Sequence, residues 1–143
     1  MDPITHLLTT RKLIGSQRTV VLAGLLPDAP FYLTYPTWVL MHGGFRRAIR
    51  DKTWPEPPDW MPLLHNVFHS LPVALLVALG YRLVRGHWPR DVLVAWILHI
   101  AIDLPTHSRR QWAPQFLWPL STVSVDGRSW VDLVLWVVRR FAR

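Results

Sequence analysis

The apolar positions of this chain fall into blocks that read as helices, and the polar residues punctuate them. Residues 3–14 open with Pro3, suited to a first helical turn, with Asp2 placed as N-cap, so that His6 falls in the first or second turn of a short helix. The apolar run from Val20 to Leu26 ends at Pro27-Asp28-Ala29-Pro30, where two prolines flank one carboxylate; Asp28 is expected where a helix stops, placed by a stiff turn. Residues 31–50 are aromatic and apolar as far as Met41 and then basic at Arg46, Arg47 and Arg50, the pattern of one helix leaving an apolar layer.

A Pro-rich break, Trp54-Pro55-Glu56-Pro57-Pro58-Asp59, divides the chain into two blocks that must pack on each other. Beyond it, with Asp59 or a neighbour as cap, the pattern predicts a long helix from Trp60 to Arg85, interrupted at Pro72. At 1.5 Å per residue it would be roughly 39 Å long, more than the roughly 30 Å hydrocarbon core of a bilayer. The next helix, Arg90 to Leu104, is apolar on every side except for His99 and Asp103, so it is buried in protein or in lipid, and it is short for a full crossing. Pro105 is expected to end or kink it. The stretch to Leu120, with the pair Arg109-Arg110, reads as irregular, and Asp126-Gly127 as a turn before a last helix from Trp130 to Arg143. The Trp and Val surface of that helix, with its basic end, fits either a membrane interface or a protein core.

Length and composition narrow the reading. A chain of 143 residues is expected to form a single domain spanning 1–143, and 50% apolar residues with 9 Trp exclude a disordered chain. Charged residues make up only 17%, against about 25% in an ordinary soluble domain, which leans toward a membrane. No signal-peptide pattern marks the N-terminus, so Met1 is expected to begin the working protein. The net charge of +7 suits an anionic partner: a membrane face, a headgroup or a small anionic substrate. Specific nucleic-acid binding is not expected, because the basic residues sit at the edges of apolar segments, as in the positive-inside pattern, rather than on one aromatic-rich face. With no Cys, disulfides, thiolate metal sites and cysteine nucleophiles are excluded.

The chemistry concentrates in pairs. His99 and Asp103 are four apart, which stacks them on one helix face about 6 Å apart along the axis. A charged carboxylate in an otherwise apolar helix needs a compensating partner; a divalent cation is one, and a His–Asp hydrogen bond is the other. His65 and His69 repeat the spacing, either as a zinc pair or as core or surface histidines. His6 and Asp28 add a nitrogen and an oxygen from two further segments, and His107 lies four beyond Asp103. Imidazole and carboxylate donors suit Zn²⁺, Mn²⁺ or Fe²⁺, and up to seven candidates exceed the needs of one tetrahedral ion, which points to two ions that bridge a phosphate and activate a water. His42, beside Gly43-Gly44, and His87, in the Arg85-Gly86-His87 turn, read as surface histidines. Ser70 can hydrogen-bond a ligand or help hold substrate, but it does not face the adjacent His69, which argues against a Ser–His nucleophile.

In order along the chain, Thr5-His6-Leu7-Leu8, Leu25-Leu26-Pro27-Asp28, His69-Ser70-Leu71, His99-Ile100-Ala101-Ile102-Asp103 and Leu117-Trp118-Pro119-Leu120 resemble the motifs of the YdjM-type membrane-bound metal-dependent hydrolases, themselves distantly like zinc-dependent phospholipase C and the S1/P1 nucleases. The chain departs from that pattern at Pro30, where the family often has a second Asp, and at His65, which precedes His69 by four rather than five with no Arg after it; His107 is a candidate replacement. The resemblance implies an α-helical fold at the inner (cytoplasmic) membrane of a prokaryote. The combined expectation is an all-α bundle of about five helices, membrane-associated, with a metal site between helices. His6, Asp28, His65, His69, His99 and Asp103 would hold one or two divalent ions, most simply Zn²⁺, with His65 or His107 carrying protons. The activity expected is hydrolysis of a phosphoester or phospholipid-type substrate by a metal-activated water; the alternative is a non-catalytic membrane protein with a structural metal or a buried polar network.

Overall fold

The computed structural model describes residues 3–51, 55–109 and 113–128, and among these every regular element is helical. The elements are α1 (Pro3–Leu13), α2 (Arg18–Leu25), a 3₁₀ turn (Leu26–Asp28), α3 (Ala29–Met41), α4 (Gly44–Asp51), α5 (Trp60–Phe68), α6 (Leu71–Arg85) and α7 (Arg90–Thr106). Asp2 and the expected helix over 130–143 lie outside the described residues. α7 is the central strut: α2 packs along it, α1 covers both, and α6 lies against its other side, while α3 and α5 close the end near the 3₁₀ turn.

Three predicted helices differ in their bounds. The run 31–50 is two helices, because Gly43 and Gly44 adopt positive φ (113° and 76°) that L side chains resist, and the chain turns there. The run 60–85 is also two helices, α5 and α6, bent by 60°. The break falls at His69-Ser70 rather than at Pro72. Ser70 is extended, its Oγ accepts the Val73 N–H at 3.1 Å as an N-cap, and Pro72 stands in the first turn of α6, where no N–H is required. Asp59 precedes α5, but its side chain makes no capping hydrogen bond. α7 runs past Pro105 to Thr106: the proline leaves the Ala101 carbonyl without its helical donor, and the helix ends within two residues at His107, whose N–H donates to the Asp103 carbonyl at 3.1 Å. The Asp126-Gly127 turn then returns to this end, with Gly127 N–H donating to His107 O and Arg128 N–H to Pro105 O, both at 2.9 Å. A side chain on Gly127 would collide with the Pro105 backbone.

The apolar core is small. Val20, Ala23 and Ala95 form one cluster, with Ile14 and Val92 against it; Ala74, Trp96 and Ile100 form another, with Phe68, Leu71, Leu93 and Phe116. Between them the interior is polar, since His6, Thr10, His69, Ser70, His99 and Asp103 are all fully buried. The outside is correspondingly apolar: Leu76, Leu83 and Val84 of α6 are 66–82% exposed, and Ile4, Leu8 and Leu13 of α1 59–65%. Among the described residues no single helix is long and apolar enough to cross a membrane; the bent pair α5–α6 passes that test only when taken together.

Candidate metal centre

The polar interior is organised around one carboxylate. Asp103, on the buried face of α7, places Oδ1 3.1 Å from His6 Nε2 and Oδ2 3.1 Å from both His69 Nε2 and His99 Nε2. Asp28, delivered by the 3₁₀ turn between α2 and α3, faces the same three rings: Oδ1 is 3.5 Å from His69 Nε2 and 3.7 Å from His99 Nε2, and Oδ2 is 3.8 Å from His6 Nε2. The two Nε2 atoms of His69 and His99 are themselves 3.2 Å apart, and His6 stacks on His99 with ring centroids 3.7 Å apart. Three elements, α1, the 3₁₀ turn and α7, and the α5–α6 corner therefore meet at one buried polar point.

Backbone carbonyls orient the rings. His99 Nδ1–H donates to Gly24 O at 2.8 Å, and His69 Nδ1–H donates to His65 O at 2.9 Å. A neutral imidazole has one N–H, so spending it at Nδ1 leaves a lone pair on Nε2. Both lone pairs are aimed at carboxylate oxygens, which are acceptors too. Contacts of 3.1 Å between acceptors require a cation between them, either protons or a metal ion. Protonating both rings would neutralise two carboxylates but set two N–H groups head to head at 3.2 Å. A divalent ion supplies the same charge from one centre. Among the described residues, two buried side-chain atoms have no hydrogen-bond partner, His6 Nδ1 and Asp28 Oδ2, and the second is turned toward the same ligand atoms. The donor set thus fits a divalent ion bound by nitrogen and oxygen, with the Nδ1–H to carbonyl bonds that usually accompany metal-bound histidine.

Ligand atoms converge in two groups, each with its members within 4.8 Å of one another: His6, Asp28, His99 and Asp103 in one, and Asp28, His65 and His69 in the other. Asp28 belongs to both, the position of a bridging carboxylate. All six predicted ligands are thus brought together. His107 stands in neither group. It is the C-cap of α7, with Nδ1 3.2 Å from Asp103 O and 3.5 Å from Asp103 Oδ1, its ring centroid 6.4 Å from that of His65, and its side chain partly exposed. His42 and His87 are exposed and remote from the cluster, one stacked on Trp38, the other beside Tyr81.

The electrostatics follow from burial against charge. Burial pushes the Asp28 and Asp103 carboxyls up, but hydrogen bonds from His69 and His99, and for Asp103 also from His6, hold both well below the usual carboxylate range. Burial pushes His99 down, and its bonds to Asp103 and Asp28 overcome this and raise it to about 9; His69 is raised for the same reason. His65, stacked on His69 at 3.9 Å, is pushed well below its ordinary value by burial and by the neighbouring His69 and His107, and burial lowers His6 and His107 as well. Without a bound ion, His69 and His99 are thus the imidazoles that hold a proton against the carboxylates, at Nε2 where an ion would otherwise bind, and His6, His65 and His107 are the neutral ones.

Four further residues contribute in roles that residue type and spacing do not assign. The Gly24 carbonyl orients His99, and only a glycine there lets α2 approach Thr10 of α1. Ser70 serves the backbone rather than a ligand: besides capping α6, its Oγ donates to the Trp118 carbonyl. Arg109 and Asn66 line a cavity that reaches His65. Of these only Gly24 carries a usable hint, a glycine inside an apolar helical run, which often marks a close approach. Comparison with protein-family models, with curated proteins and with solved structures gives no match to this chain.

Proposed function

We propose that the chain is a metal-dependent hydrolase of phosphoester or phospholipid-type substrates that works at a membrane. The reading is carried by one observation: the Nε2 lone pairs of His69 and His99, set by backbone carbonyls, point at two buried carboxylates that need a shared cation. A bound divalent ion, Zn²⁺ or else Mn²⁺ or Fe²⁺, polarises a phosphoryl oxygen and acidifies a water at neutral pH. The protein does the rest. His6, Asp28, His99 and Asp103 hold one ion, and Asp28, His65 and His69 offer a second position. Neutral, partly exposed His107 accepts a proton beside Asp103 and releases it to solvent. A donor count beyond four, with His65 beside an open cavity, favours catalysis over a closed structural site.

The membrane part of the proposal is supported by the exposed apolar face of α6, which ends in Arg82 and Arg85 with Trp88 5.1 Å from the Arg82 guanidinium, the amphipathic tip of an interfacial segment. It is supported also by the motif resemblance noted above.

The test is Asp103→Asn. The amide preserves shape but removes the charge shared by three imidazoles, so zinc affinity, measured against a competing chelator, should fall at least about a hundredfold. Turnover of phosphodiester and phospholipid substrates should vanish while helicity by circular dichroism persists. If instead the variant unfolds and the zinc-loaded wild type cleaves nothing across phosphomonoester, phosphodiester, phospholipid and peptide panels, the metal is structural. Protein that is folded yet takes up neither Zn²⁺ nor Mn²⁺ leaves only the buried polar network.

A further inference from the structure

A cavity of about 370 Å³ opens beside the second ligand group, and His65 belongs to both. Its volume falls in the range of small-molecule sites. One wall is α5, which presents Pro62, His65 and Asn66 at spacings of three and four, hence on one helix face. The opposite wall comes from the segment after α7, through Arg109, Gln115 and Ser124. No carboxylate lines it among the described residues. We propose that this cavity binds the phosphoryl group of the substrate, with Arg109 and Asn66 as the residues that hold its oxygens beside the metal centre; this rests on the hydrolase reading above.

The geometry assigns each residue a part. Arg109 is fixed by its backbone, whose N–H donates to Asp126 Oδ1 at 2.9 Å, and one guanidinium nitrogen, Nη2, donates to Ser124 O at 3.3 Å. A guanidinium has five N–H donors, and among the described residues no carboxylate forms an ion pair with this one. It is an exposed guanidinium at the mouth of a polar cavity, with the Asp126 carboxylate held on its backbone N–H, and its planar fork matches two oxygens of a phosphoryl group. Asn66 Oδ1 accepts the Gln115 N–H at 3.4 Å, which leaves the amide nitrogen as its donating end. A guanidinium and an amide then line a cavity, with Gln115 and Ser124 as its other polar residues and the imidazole of His65 on the side of the metal centre. Such a lining suits an oxyanion and disfavours a cation. A phosphoryl group seated there would have one end on Arg109 and Asn66 and the other toward His65, so substrate would reach the metal centre from this side.

The experiment is calorimetric titration of the zinc-loaded full chain with inorganic phosphate. Wild type should bind. Arg109→Gln should weaken binding at least about tenfold with zinc stoichiometry unchanged, Asn66→Ala should weaken it less, and Arg109→Lys, which keeps the charge but loses the fork, should fall between Arg109→Gln and wild type. Asp126→Asn loosens the backbone anchor of Arg109 without removing the guanidinium, and should cost little. Equal losses in Asp126→Asn and Arg109→Gln would make Arg109 a loop staple and overturn the proposal, as would unchanged affinity in folded Arg109→Gln or Arg109→Lys. The ratio by which Arg109→Gln lowers kcat/KM toward a soluble aryl phosphate and toward a short-chain phospholipid tells which source of phosphoryl group the cavity serves; no reduction for either overturns it. The two readings fail separately: Arg109-dependent phosphate binding without hydrolysis sinks the hydrolase and leaves the cavity, whereas hydrolysis indifferent to Arg109 does the reverse.

Discussion

The tight approach of Gly24 to Thr10 sits one turn from a ligand, and Gly24→Ala would expose how much the centre depends on it. A Cβ built on Gly24 lies 3.0 Å from both Thr10 Cβ and Thr10 Cγ2 and nearer still to Thr10 Oγ1. Ordinary carbon contacts are about 3.5–4.0 Å, so α1 and α2 must part by roughly half an ångström to one ångström. Thr10 is 2% exposed and has no empty space to turn into. Overpacking of this kind costs about 1–3 kcal/mol, and replacing a helical glycine by alanine returns about 1 kcal/mol, so a net loss of at most about 2 kcal/mol is expected. The effect on the site should be larger than the effect on the fold. His6 is one turn before Thr10 on the same buried face of α1, and its Nε2 must stay 3.1 Å from Asp103 Oδ1. Displacing α1 therefore withdraws one ligand without altering any ligating residue, and zinc affinity should fall at least about tenfold. Urea unfolding and chelator-competed zinc titration measure the two quantities. Thr10→Ala in the Gly24→Ala background removes Oγ1 and Cγ2 and should recover most of the affinity, with a coupling of about 1 kcal/mol in stability. A Gly24→Ala protein that is as stable as wild type and binds zinc equally well would refute the reasoning.

In chelator, thermal stability should decline from pH 7 to 9.5. His99 is raised from 6.5 to about 9, so its contribution is complete below pH 6.5 and is lost as pH rises through 9. In saturating zinc the dependence should reverse in sign, because protons compete with the ion for Nε2 and the increment from zinc grows from pH 6 to 8; a flat chelator curve would sink this account. Ser70→Ala removes the α6 cap and strands the buried end of the Trp118 carbonyl contact, so it should cost about 2–4 kcal/mol by urea midpoint, against under 0.5 kcal/mol if the α5–α6 corner is held by packing alone.

What could be read from the chain was the chemistry that travels with local spacing. His99 and Asp103 announce themselves because two polar groups in an all-apolar helix have few explanations, and Asp28 because prolines flank it. The helix breaks were harder. At His69-Ser70-Leu71-Pro72 the apolar continuity from Trp60 to Arg85 outweighs a cap-plus-proline start that reads, locally, as the beginning of a helix. At Pro105 the opposite error arises: the lost bond to the Ala101 carbonyl bends or ends a helix only locally, and α7 still closes one more residue before His107. Gly24 and Thr10, or Arg109 and Asn66, meet only in space, and nothing in their spacing signals the meeting. Nor does spacing assign His65 and His107, since both depend on how the α5–α6 corner and the end of α7 face each other.

The pairing of His6 with Asp103 spans 97 residues, and this bears on how the molecule is made. Synthesis runs from the N-terminus, so the imidazoles of His6, His65 and His69 emerge before either Asp103 or His99 exists. A nascent chain carrying four of the six ligands has no complete site, and loosely held ions have no reason to remain. Only when α7 leaves the ribosome and slides between α2 and α6 do the carboxylate and the last ring arrive together. An ion captured at that moment would fasten α1 to a helix made some 97 residues later, acting as a clasp on helices already formed rather than as a nucleus for them.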